Sequence, residues 1–136
     1  MDLHVPQLDL SSAWMNAAGA LGYAPTADMV VIEPVGAFVT NAVSLRARKP
    51  AESRALLEFP GGVLLHSGLP NPGLEKIIQK YGPRWQRSTL PIWVHLLGSS
   101  PEEVHSMARR LEYVEGVSAL EVGMPPTAGL GIGIDR

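Results

Sequence analysis

The stretch 91-PIWVHLLGSSPEEVHSMARRLEYVEGVSALEVG-123 decides the fold. Its first eight residues, Pro91 to Gly98, are an apolar, partly β-branched run of strand length. Ser100-Pro101-Glu102-Glu103 follows and has the form of a capping box. The Ser100 hydroxyl can accept from the Glu103 amide while the Glu103 carboxylate reaches back. Val104, Met107, Ala108, Leu111 and Val114 then recur at helical spacing, and Arg109 and Arg110 suit the negative end of a helix. Gly116 is a left-handed terminator, and residues 117–124 form a second apolar strand leading into a Pro125-Pro126-Thr127 loop. Strand, capped helix and strand in this order predict a parallel sheet with helical crossovers.

The same alternation extends upstream. Asn71 and Pro72 suit the cap and first position of a helix, with Leu74, Ile77, Ile78 and Tyr81 on one face and Gly82-Pro83 as its stop. Residues 55–68 predict a hairpin, two apolar runs around Pro60-Gly61-Gly62. Residues 46–55 carry charge and a proline and predict a loop. Residues 36–45 predict a buried strand, and Met29 to Ile32 a short β-branched one ended by Pro34. Within 1–22, Val5, Leu8 and Leu10 alternate before the small-residue run Asn16-Ala17-Ala18-Gly19, which permits a tight turn or close approach by another group. No repeat is visible.

Composition bounds the function. The 136 residues suit one domain, and 46% hydrophobic with 18% charged residues suits a folded core. The formal net charge of −2 offers no electrostatic footprint for nucleic acid. The densest basic run, Arg46 to Lys49, reads as a solvated loop. With no cysteine, the chain holds no disulfide, thiol nucleophile or cysteine-ligated cluster. No apolar run has membrane-helix length, and the N-terminus lacks the pattern of a signal peptide, so a cytoplasmic protein is expected.

The histidines His4, His66, His95 and His105 show no metal-site spacing, so no metal is expected. His66 lies in the Gly/Pro-rich loop after the hairpin, where it could meet a ligand. His95 reads as a hydrogen-bonded interior residue, His105 as exposed on its helix, and Glu121, mid-strand among apolar neighbours, as a carboxylate that on the inward face would need a partner. Glu102 and Glu103 are helix-start residues rather than a catalytic pair. Trp14, Trp85 and Trp93 read as core or interface fillers.

The ordered set MNAAGALG (15–22), AFVTNAVSLRAR (37–48), LLHSGLPNPGLEKII (64–78), PIWVHLLGSSPEEVHSMARRLE (91–112) and SALEVGMPPTAGL (118–130) resembles the N-terminal half of dihydroorotate dehydrogenases. These are flavin enzymes of pyrimidine synthesis built on a (β/α)8 barrel. The resemblance covers most of the chain and implies FMN at the C-terminal mouth of the barrel. There dihydroorotate gives a hydride to the flavin while a base removes a proton. It implies that Ala17, Ala18 and Gly19 form the small-residue turn under the flavin, and that Asn41 stands beside it. Ser67, Gly68, Leu69 and Asn71 match the substrate loop.

Several positions depart from the family pattern. Its Thr-Lys pair is Thr40-Asn41 here, and its ligand-reading asparagine is Leu65, which cannot hydrogen-bond a pyrimidine edge. Its base falls on Gly123 or Met124, or is deleted, so no catalytic residue is assigned. A whole barrel takes about 250 residues. The expectation is therefore a partial (β/α)8 barrel: one half-barrel domain over 1–136, with an N-terminal strand and hairpin region and residues 124–136 as a tail. Two readings stay open, a flavoprotein half inactive by itself and a non-catalytic half-barrel subunit. In both, open strand edges call for a second copy or a complementary half-barrel chain.

Overall fold

A computed structural model of the chain describes residues 10–26, 35–52 and 56–123. The expected elements at Val5 and Leu8, at Met29–Ile32 and over 124–136 lie outside the described residues, as does His4. The architecture is mixed α/β. Strands β1 (Phe38–Val39), β4 (Ile92–Leu97) and β5 (Val117–Gly123) form a parallel sheet in the order β1-β4-β5. A parallel bridge from Met15 to Ala37 places the N-terminal segment beside β1. Helix α1 (Leu74–Gln86) lies between β1 and β4 in the chain, and α2 (Pro101–Leu111) between β4 and β5. The crossover pattern expected from the sequence is present.

The period of two along β4 sorts its side chains. Ile92, Val94 and Leu96 are fully buried and share the core with Leu74, Ile77 and Trp85 of α1 and Met107 and Leu111 of α2. Each aliphatic side chain so buried contributes about 1.5–3 kcal/mol, which binds both helices to the sheet. The opposite face carries Trp93 and His95, in register with Val39, Ala119 and Glu121 of the flanking strands. Beyond β5 no further strand pairs among the described residues, and Leu120 and Val122 stay exposed there.

Helix α2 starts as its sequence dictates: Ser100 Oγ accepts from Glu103 N at 3.2 Å, and Pro101 occupies the first turn. The Glu103 carboxylate reaches back to the amide of Ser99, at 2.6 Å, rather than to that of Ser100. Val114 lies beyond the end of α2, half-buried against the same core, and His105 is exposed as expected.

Helix α1 differs from expectation at both ends. It begins at Leu74, with Gly73 in the cap position at φ 87°. Asn71 lies upstream, its Oδ1 accepting from Gly73 N at 3.0 Å. At the other end α1 continues through Gly82-Pro83 to Gln86. Burial of Trp85, whose Nε1 donates to Tyr23 O at 2.7 Å, outweighs the amide that Pro83 lacks.

The predicted strand over 36–45 is buried, but its ladder is short. Only Phe38 and Val39 pair regularly, and Val43 rejoins β4 through an isolated bridge to Leu96. The hairpin forms as expected, with β2 (Leu56–Phe59) antiparallel to β3 (Gly62–Leu65). Both of its faces are open: Leu56, Leu57, Phe59, Val63, Leu64 and Leu65 are all exposed. The basic loop is not purely solvated, because Arg48 Nε donates to Gly68 O at 3.1 Å and the Arg48 backbone pairs with Asn71.

Candidate functional site

Three loops converge on the inner face of the sheet. The first is the small-residue turn at 17–20, closed by Ala20 N donating to Ala17 O at 3.2 Å. Asn16 fixes it to β1: its Nδ2 donates to Val39 O at 2.7 Å and its Oδ1 accepts from Val39 N at 2.9 Å. One side chain thus replaces a strand partner. Gly19 has φ 84°, a conformation that glycine adopts without strain, and a Cβ built there would meet nothing within 4 Å. The turn therefore presents a bare, open wall.

The second loop follows β1. Thr40 is fully buried; its Oγ1 accepts from His95 N at 3.1 Å and donates to Asn41 O at 2.9 Å. Asn41 N donates to Gly22 O at 2.7 Å, and Asn41 Oδ1 accepts from Gly22 N at 3.0 Å. This pair of hydrogen bonds locks the first two loops together. It leaves the Asn41 amide nitrogen without a hydrogen bond among the described residues.

The third loop leaves the hairpin. Ser67 Oγ accepts from Leu69 N at 3.1 Å, and Leu69 holds φ 48°. A left-handed leucine costs roughly 1 kcal/mol or more, so the surrounding loop must hold it in place.

Together these loops line a cleft of about 250 Å³ formed by Ala18, Gly19, Tyr23, Asn41, Ala42, Ser67, Leu69, Pro70 and His95. A larger hollow of about 350 Å³, between α2 and β5, contains none of the expected site residues. The inner cleft brings together Ala18, Gly19, Asn41, Ser67 and Leu69. Ala17 belongs to the turn but does not line the cleft. Gly68 is held against the backbone, where a Cβ would stand 2.8 Å from Ala51 N. Asn71 is buried, and its side chain is used inside the chain: Oδ1 accepts from Ser44 N, Ser44 Oγ and Gly73 N, and Nδ2 donates to Leu69 O. It shapes the loop and presents nothing to the cleft. His66 is exposed and outside the cleft lining.

Tyr23, Ala42, Pro70 and His95 join the lining without having been expected there. His95 Nδ1 lies 3.1 Å from Glu121 Oε2, the cross-strand neighbour in register. Glu121 thus has a partner although its side chain is 45% exposed and not buried. The signal was present in the alternation of PIWVHLLG, which sets His95 opposite the core-facing Ile92, Val94 and Leu96. Burial pushes the Tyr23 phenol up, and the nearby Tyr81 adds to the shift. Among the described residues no group of three or more side chains could hold a metal ion, and no helix is long and apolar enough to cross a membrane.

The family model for dihydroorotate dehydrogenase matches residues 1–132. The chain belongs to the dihydroorotate dehydrogenase family. Among curated relatives, the protein from Pelobacter propionicus is 38% identical over 125 residues, covering 91% of this chain and 41% of its own length. That from Trichlorobacter lovleyi is 34% identical with the same coverage. That from Desulforudis audaxviator is 34% identical over 121 residues, covering 86% of this chain and 38% of its own. All three are named dihydroorotate dehydrogenase B (NAD(+)), catalytic subunit. The chain spans about two fifths of the length of these relatives.

The positions expected to depart from the family pattern fall in different places. Asn41 is in the cleft. Leu65 pairs with Leu56 in the hairpin and is 69% exposed, away from the cleft lining. Gly123 ends β5 opposite Leu97, and Met124 lies outside the described residues.

Proposed function

We propose that this chain supplies the first half of a (β/α)8 barrel whose cleft takes the ring of FMN for the oxidation of dihydroorotate to orotate. The supporting observation is the cleft itself. Ala18 and Gly19 form a bare wall, the Asn41 amide is available to a ring carbonyl, and Ser67 and Leu69 stand on the third side. At about 250 Å³ the cleft is slightly below the usual range for ligand pockets, so it takes part of a flavin and not the whole. No Lys or Arg lines it, so the residues fit the ring and not the phosphate. FMN, when bound, accepts the hydride. This chain's residues bound the ring, exclude water from it and order the substrate loop.

The open edge of β5, with Leu120 and Val122 exposed, is where a complementary half-barrel chain would continue the sheet. The relatives' names carry NAD(+) and the words catalytic subunit, and we extend both to the completed protein: NAD(+) is its electron acceptor and further subunits are its partners. Pyrimidine synthesis in the cytoplasm is part of the same reading. Complementation tests it. Mixed with a chain covering the remaining length of the Pelobacter propionicus relative, this chain should restore dihydroorotate-dependent reduction of an artificial electron acceptor, which needs no further subunit. Failure of two folded, associating chains to do so would count against it. A second reading, a non-catalytic half-barrel subunit, is favoured by Asn41 where the family pattern has a lysine, Leu65 where it has an asparagine, and the lack of a base at Gly123. It predicts association of the two chains without turnover.

A further inference from the structure

The proton acceptor expected from the resemblance has no counterpart at Gly123, yet the cleft contains a group suited to that task. Of the side chains lining it, imidazole is the one type that exchanges a proton readily near neutral pH. Ser67 Oγ is engaged by Leu69 N, and burial holds the Tyr23 phenol protonated. We propose that His95, oriented by Glu121, is the proton acceptor of this cleft.

The geometry carries the assignment. An ionised carboxylate only accepts hydrogen bonds, so Glu121 Oε2, 3.1 Å from His95 Nδ1, selects the tautomer with hydrogen on Nδ1. The lone pair then lies on Nε2, which makes no hydrogen bond among the described residues. The backbone of His95 is pinned on both sides, N to Thr40 Oγ1 at 3.1 Å and O to Val43 N at 2.9 Å. The side chain is only 17% exposed and forms part of the cleft wall. A base held by a carboxylate on one nitrogen, with the other available, is the arrangement general-base catalysis uses.

The choice of substrate rests on the dihydroorotate reading. The bond that breaks is C–H at the ring carbon next to a carbonyl. The proton goes to Nε2, and the imidazolium formed lies beside the Glu121 carboxylate. The electron pair is delocalised into the carbonyl. Without an oxidant the step reverses, and in D2O it returns deuterium. In the complete reaction that pair would become the ring double bond, with the neighbouring C–H lost as the hydride that a bound flavin would accept.

Deuterium uptake into dihydroorotate, followed by proton NMR in D2O with the purified chain and no added flavin, tests the step directly. The chain should exchange the position next to the carbonyl about 100-fold faster than H95N or H95Q, in keeping with the effect of a positioned base. H105N should match the unaltered chain. E121Q should slow exchange and shift the His95 ring nitrogens, in long-range ¹⁵N spectra, toward a mixture of tautomers. Absence of exchange in the unaltered chain, or equal rates in H95N and H95Q, would overturn the assignment. Flavin binding is read separately: binding without exchange removes His95 and leaves the flavoprotein reading, and exchange without binding does the reverse.

Discussion

Replacing Asn71 should cost stability rather than ligand affinity, because its side chain is consumed inside the fold. Asn71→Ala removes one acceptor from Ser44 N at 3.3 Å, Ser44 Oγ at 3.0 Å and Gly73 N at 3.0 Å, and one donor from Leu69 O at 3.1 Å. Ser44, Asn71 and Gly73 are all buried, so water does not replace the lost partner. Each buried amide left unsatisfied costs about 1–3 kcal/mol. With two amides stranded, the expected loss is about 4 kcal/mol, a large part of the stability of an ordinary domain. Asn71→Asp keeps the acceptor toward Ser44 and Gly73 but turns the donor toward Leu69 O into a second acceptor, so it loses that bond and adds repulsion and a buried charge. Urea unfolding followed by far-ultraviolet circular dichroism measures both. Ser44→Ala, combined with Asn71→Ala, should give a loss well below the sum of the two, since they share one network. A cost under about 1 kcal/mol for Asn71→Ala would refute the reasoning.

Three further outcomes are expected. Ser100→Ala removes the cap on Glu103 N and should cost about 1 kcal/mol in the same unfolding assay, with Ser100→Asp close to neutral. Gly116→Ala should cost about 3 kcal/mol, because φ is +91° and its Cβ would stand 2.4 Å from the Trp85 carbonyl. Tyr23 should ionise above the usual 10.0 in an absorbance titration, and Tyr23→Phe should abolish that late phase. Because the folded phenol is raised, its share of stability is complete below pH 10 and is lost as pH rises through the folded value.

The parallel sheet and both crossovers were legible because each element carries its own local signal. The box at Ser100 and the period-two run at Ile92–Leu97 need no tertiary information. The ends of α1 were less legible, since local breakers compete there with distant burial. Pro83 was expected to stop the helix, but Trp85 lies just beyond it and is anchored by Tyr23, far away in the chain. The site was legible in part. Ala18, Gly19, Asn41, Ser67 and Leu69 converge because three loops lie at one end of the sheet. Asn71 looked like a ligand contact, yet its amide faces Ser44, which sequence spacing alone does not reveal. His95 and Glu121 become neighbours only through the register of β4 against β5. The open hairpin likewise reads from sequence as an ordinary apolar pair of strands, and only the fold shows that nothing among the described residues covers it.

The central claim is that the inner cleft receives a flavin ring. Titration of FMN with the purified chain, followed by quenching of free-flavin fluorescence and by the visible absorption spectrum, tests it most directly. The account predicts saturable quenching with a structured bound-flavin spectrum, and loss of both in Ala18→Trp, which fills the exposed wall of the cleft without touching the core. Unchanged fluorescence throughout the titration, or equal binding by a folded Ala18→Trp chain, would contradict it.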